Sequence, residues 1–107
     1  MSYSEIDVDE LARRLEDGAT LIDVRQPAEF EEARIPGATL IPLAELPDRL
    51  DELPQGEQLV MVCRSGARSA RACEFLAEQG FDSTNVAGGT LAWIDAGLEV
   101  ASGNAGG

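Results

Sequence analysis

The run Gln58-Leu59-Val60-Met61-Val62 is apolar at every position after its first, and this constrains the chain more than any other feature. A β-strand sends alternate side chains to opposite faces of its sheet, so a strand without polar alternation must be covered on both sides. Strands of that kind belong to parallel sheets enclosed by helices. The rest of the chain supplies what such a sheet requires. Thr20 to Val24 is a second β-branched run, and Ser4 to Asp7, Thr39 to Ile41 and Ser83 to Val86 are briefer strand candidates. Helical segments lie between them. Asp9 is expected to cap a helix ending near Gly18 with Leu11 and Leu15 on its apolar stripe, and Pro27 to open a short helix with Phe30 inward. Leu43, Leu46, Leu50 and Leu53 repeat at helical spacing up to Pro54. A longer helix is expected from Gly66 through Gln79, stopping at Gly80, and a last one after Gly88-Gly89, carrying Leu91 and Trp93. Alternation of strand and helix predicts an α/β fold, with a central, mainly parallel five-stranded sheet flanked by helices on both faces. One domain over residues 1–100 is expected, with a flexible tail from Ala101 to Gly107.

Charge narrows the partners. Twenty acidic residues face eight basic ones, all arginine, for a net charge of −12. That surface repels nucleic acid and anionic membranes, so neither is an expected partner. The first ten residues have no basic start and no apolar run, so no signal peptide is expected, and a cytoplasmic monomer is. The cations are not spread evenly: Arg64, Arg68 and Arg71 all fall within eight residues of Cys63. An acidic chain that gathers positive charge beside one cysteine has the makings of a local anion site.

There are two cysteines and no histidine. Ser-His-Asp and Cys-His catalysis are therefore excluded, as are His-containing zinc sites, and neither metal nor cofactor is expected. Cys63 directly follows the apolar strand, at the carboxyl end where open α/β sheets bind ligands. The loop Cys63-Arg64-Ser65-Gly66-Ala67-Arg68 can turn successive amides inward as an anion nest, and the helix beyond it adds its own positive end. A free thiol titrates at about 8.5, and such surroundings lower that value. Cys63 is thus expected to be substantially thiolate at neutral pH. Cys73, among Ala70, Leu76 and Ala77 at helical spacing, reads as a packed core residue.

With LIDVRQPAEF at 21–30, IPGATLIP at 35–42, VCRSGARS at 62–69 and VAGGTLAW at 86–93, the chain resembles the single-domain rhodaneses over nearly its whole length. The resemblance implies a sulfurtransferase. Cys63 would take the outer sulfur of a donor as a persulfide and yield it to cyanide or a thiol. It assigns donor binding to Arg64 and Arg68 and a cradle for the sulfur to the amides from Arg64 through Ser65, Gly66, Ala67 and Arg68 to Ser69. Asp23 and Arg25 belong to the same pattern in a structural role, Asp23 accepting hydrogen bonds at a strand end and Arg25 pairing with Glu29 or the sheet rim. The family often has Gly-His where Ala33-Arg34 stand, and a proline near Glu99. Related phosphatases use the longer C-x5-R loop around a phosphate, whereas Cys63 and Arg68 bound a six-residue loop, better sized for sulfur. A phosphatase or arsenate reductase is the lesser alternative, and a non-catalytic rhodanese module another. Thiosulfate, mercaptopyruvate, a glutathione persulfide or a cysteine desulfurase could supply the sulfur.

Overall fold

A computed structural model describes residues 3–54 and 58–103. Its centre is the apolar run, which forms the strand β4 (Leu59–Val62), buried at all four positions. The other strands are β1 (Ser4–Ile6), β2 (Thr20–Asp23), β3 (Thr39–Leu40) and β5 (Ser83–Val86), and the sheet runs β1-β5-β4-β2-β3. Every pairing in it is parallel. β4 lies between β2 and β5, so it is the strand that most needs apolar residues on both faces.

Its side chains divide accordingly. Leu59 and Met61 enter one core with Ile22, Ile41, Leu46 and Leu76, while Val60 and Val62 enter a second with Leu11, Leu21, Ile35 and Trp93. The first core is closed by helix α3 (Ala67–Glu78), the second by α1 (Val8–Glu16) and α4 (Gly89–Asp95). Helix α2 (Pro27–Glu32) follows β2 and buries Phe30. Cys73 is fully buried in the first core, as its spacing predicts, and Trp93 packs in the second.

Three boundaries differ from expectation. The cap of α1 is Asp7, not Asp9: Asp7 is extended and accepts from the Glu10 amide at 2.9 Å. Starting there places Val8 in the first turn, where it reaches the core. The leucine-spaced segment is not an α-helix but two 3-10 helices, Leu43–Asp48 and Leu50–Glu52. Pro47 lies inside the first; lacking an N–H, it cannot sustain an α-helical ladder, and the tighter winding still buries Leu46. The expected tail is held at its start. Arg34 and Ala101 exchange two backbone hydrogen bonds of 2.9 Å, and the Gly103 amide donates to the Glu31 carbonyl at 2.7 Å. Residues 104–107 lie outside the described residues. Arg34 ties this corner together. Its guanidinium donates to the Phe30 and Gly103 carbonyls at 3.1 and 2.9 Å and lies 4.7 Å over the Phe30 ring. Among the described residues no helix is long and apolar enough to cross a membrane.

Candidate active site

Cys63 leaves the end of β4 at the centre of the sheet, and the chain turns at once into α3. Gly66 makes the turn possible: it caps α3 with φ +112°, a backbone conformation strained for any residue with a side chain. The turn brings the Gly66 amide to 3.1 Å from Cys63 Sγ. One helical turn on, the buried Ser69 sets its hydroxyl 3.3 Å from the same sulfur. The loop is gripped from its other side by the start of α4. Cys63 O accepts from the Thr90 amide at 2.9 Å and the Thr90 hydroxyl at 3.0 Å, and Arg64 O accepts from the Leu91 amide at 3.0 Å.

Two effects compete at the sulfur. Burial pushes the Cys63 thiol up, but donors from the Ser69 hydroxyl and the amides of Ser69, Gly66 and Ser65 outweigh it, and the net direction is downward. Expected activation without histidine thus has a physical source in amides and one hydroxyl. The arginines contribute less than their sequence positions suggest. Arg68 is not turned to the sulfur as a free cation. Its guanidinium forks onto Glu29 of α2 with bonds of 2.8 and 2.9 Å, and Glu29 also accepts from the Gln26 amide at 3.0 Å. The fork holds the Glu29 carboxyl at about 2. Arg71 is exposed on α3.

Of the two partners expected for Arg25, Glu29 or the sheet rim, Glu29 is engaged by Arg68. Arg25 instead pairs with Asp23 at 2.8 Å, with both side chains buried, and donates to the Ala33 carbonyl at 2.8 Å. Asp23 also accepts from the Arg25 amide at 3.0 Å, so the carboxylate closes the turn out of β2. A buried charge pair of this kind costs about 3–5 kcal/mol when one partner is removed, which suits a structural strut.

A cavity of about 190 Å³ opens beside the loop, lined by residues that include Arg25, Glu29, Glu32, Arg64, Leu91 and Ile94. It reaches Arg64 but not the sulfur itself, which is recessed: Cys63 is 1% exposed. Arg64 is exposed, and among the described residues no carboxylate pairs with it. Ser65 and Ala67 are exposed at the loop's outer surface. Cys73 is separate from all this; burial pushes its thiol up to about 11. No group of three or more His, Cys, Asp or Glu side chains among the described residues is placed to hold a metal ion.

Thr90 and Asn85 belong to this site without having been singled out from sequence, and Glu29 belongs to it through Arg68 rather than through the Arg25 expected for it. Only Asn85 left a signal: it is an amide in a short strand next to β4, a residue type that strands disfavour unless its polar atoms have work to do. It accepts from Ser69 through Oδ1 and donates through Nδ2 to Glu5 and to the Gly66 carbonyl.

The family described as the rhodanese-like domain matches residues 7–96. A protein named sulfurtransferase from Allochromatium vinosum is 41% identical over 100 residues, covering 91% of this chain and 94% of that one. Among solved structures, a rhodanese-related protein from Thermoplasma volcanium superposes with a TM-score of 0.87 at 32% identity, covering 92% of this chain and 98% of that one. A rhodanese-like domain protein from Staphylococcus aureus gives 0.82 at 40% identity, with 92% and 99% covered.

Proposed function

The chain belongs to the rhodanese-like family, and from that premise we propose that it is a sulfurtransferase in which Cys63 carries a sulfane sulfur as a persulfide between an anionic donor and a thiol acceptor. The observation that carries the reading is the sulfur's surroundings. The Gly66 amide at 3.1 Å and the Ser69 hydroxyl at 3.3 Å converge on Sγ, and no basic side chain is among its hydrogen-bond partners. Donors fixed in this way favour a sulfur anion before the reaction and again after it.

With thiosulfate as donor, the Cys63 thiolate attacks the outer sulfur. A new S–S bond forms, the S–S bond of thiosulfate breaks, and sulfite departs with the electron pair. Cyanide or a thiolate then attacks the terminal sulfur of the persulfide. The persulfide S–S bond breaks, thiocyanate or an organic persulfide leaves, and Cys63 returns as thiolate. No outside oxidant or reductant is consumed. Arg64 is the cation available to the donor's oxygens, because it is exposed and borders the cavity, whereas Arg68 is held by Glu29. The recessed sulfur suits a slender donor that can reach past the loop. Both cysteines are free thiols, which suits a reducing compartment such as the cytoplasm.

Incubation with thiosulfate followed by intact mass measurement tests the reading. One added sulfur, removed by cyanide and never seen in Cys63→Ala, is expected. No adduct on the unaltered protein, or an adduct persisting in Cys63→Ala, overturns it.

A further inference from the structure

Asn85 stands at the carboxyl end of β5, 1% exposed, opposite Met61 of β4. Its amide can be oriented by chemistry alone. Nδ2 lies 3.0 Å from a Glu5 carboxylate oxygen and 3.2 Å from the Gly66 carbonyl, both of them acceptors, so the nitrogen must face them. Oδ1 therefore faces Ser69, whose Oγ is 2.5 Å away. The same Oγ lies 3.3 Å from Cys63 Sγ. A serine hydroxyl carries one proton, and an amide oxygen carries none to offer. The Gly66 carbonyl also lies 3.3 Å from this hydroxyl, but at any moment the one proton can satisfy Asn85 or the cysteine sulfur, not both.

We propose that Asn85 is a positioning residue that sets the charge state of Cys63 by competing with the sulfur for the single hydroxyl proton of Ser69. With Cys63 as thiol, the S–H donates to Ser69 Oγ and the Ser69 O–H donates to Asn85 Oδ1. On ionisation the thiol proton leaves to solvent. The hydroxyl hydrogen then turns from Asn85 to the sulfur anion, and a buried amide oxygen loses its donor. The S–H is the only covalent bond that changes. Asn85 thus opposes the ionisation that the loop amides favour. Given the persulfide reading above, negative charge on the outer sulfur lets the hydroxyl return to Asn85, so the proton's position follows the cycle.

The other charged groups around this corner are Glu5 on β1, Asp23 at the end of β2, Arg25 in the turn after it, Glu29 on α2, and Arg64 and Arg68 of the loop and α3. A change at Asn85 leaves all of their charges in place, and removes only the amide's contacts.

The test is the pH profile of iodoacetamide alkylation at Cys63, read by peptide mass, in a double-mutant cycle. Asn85→Ala frees the Ser69 proton and should move the midpoint down, raising the alkylation rate below it by about three- to tenfold, the worth of one hydrogen bond. Ser69→Ala should move the midpoint up, and adding Asn85→Ala to it should then change nothing. An unchanged or raised midpoint in Asn85→Ala overturns the proposal. So does an equal downward shift in both backgrounds, because a merely structural role would act without Ser69. Nuclear magnetic resonance gives a reading that needs no folded variant at Asn85. The side-chain carbonyl carbon of Asn85 should titrate with the Cys63 midpoint, and should be flat in Cys63→Ser; a flat response in the unaltered protein overturns the proposal equally. These are thiol titrations. A chain that accepts no sulfur from thiosulfate yet titrates as described loses the proposed function and keeps this inference.

Discussion

Gly89→Ala is the sharpest single perturbation of this architecture. Gly89 has φ +59°, and a Cβ placed on it would lie 2.5 Å from the Cys63 carbonyl oxygen and 2.6 Å from that of Arg64. Both obstacles are backbone, so they cannot rotate aside. The left-handed conformation alone costs an alanine about 1–2 kcal/mol. Forcing the two backbones apart adds about 1–3 kcal/mol for overpacking. The displaced carbonyls of Cys63 and Arg64 also lose the Thr90 and Leu91 amides, at about 1 kcal/mol each. A total of about 3–5 kcal/mol follows, since these contributions overlap at neighbouring atoms. Gly80→Ala is the control, because Gly80 has φ +88° and nothing within 4 Å of the added carbon, leaving only the conformational cost. Urea unfolding of both variants isolates the steric part. Gly89→Ala should be less stable than Gly80→Ala by about 2–3 kcal/mol, and Cys63 alkylation should change in Gly89→Ala alone. Equal losses in the two variants would refute the claim that α4 grips the Cys63 loop by close backbone contact.

Other outcomes follow from the charges and thiols. Cys73 keeps its proton longer folded, at about 11 against 9.0, so it contributes stability that is full below 9.0 and lost as pH rises through 11. Cys73→Ala should flatten the alkaline decline by about 2–3 kcal/mol in thermal melts across that window. Glu29 is depressed to about 2 from 4.5, so its stabilisation is present above 4.5 and disappears as pH falls through 2. Glu29→Gln should remove that acid dependence, worth about 1 kcal/mol for a pair partly open to water, as acid unfolding followed by circular dichroism will read. Arg64→Ala should raise KM for thiosulfate about tenfold with little effect on kcat, if one charge-assisted contact to the donor is lost. An unchanged KM would remove Arg64 from the donor site.

The architecture was legible because its strongest signal is a periodicity. An unbroken apolar β4 can be buried on both faces only in a covered parallel sheet, and Leu59, Met61, Val60 and Val62 part into two cores as that requirement dictates. Cys63 was equally legible, since a strand end, a glycine and a following helix are all local along the chain. Where local pattern misled, a non-local demand prevailed: Val8 needed a place in the core and moved the cap to Asp7.

What the sequence could not contain is the choice of partners between segments far apart in it. Arg68 follows Cys63 closely and looked like a ligand for an anion, yet Glu29, 39 positions earlier, occupies its fork. Ser69 and Asn85 are 16 apart, and Asn85 and Glu5 are 80 apart. Parallel pairing of β1, β5 and β4 brings them to one edge. Residue type, spacing and burial pattern are properties of the chain, and they determine an α/β sheet with a thiol at its carboxyl edge. Which donor each acceptor receives is a property of the assembled sheet, because a single proton or guanidinium can be shared only among atoms that folding has already placed within reach.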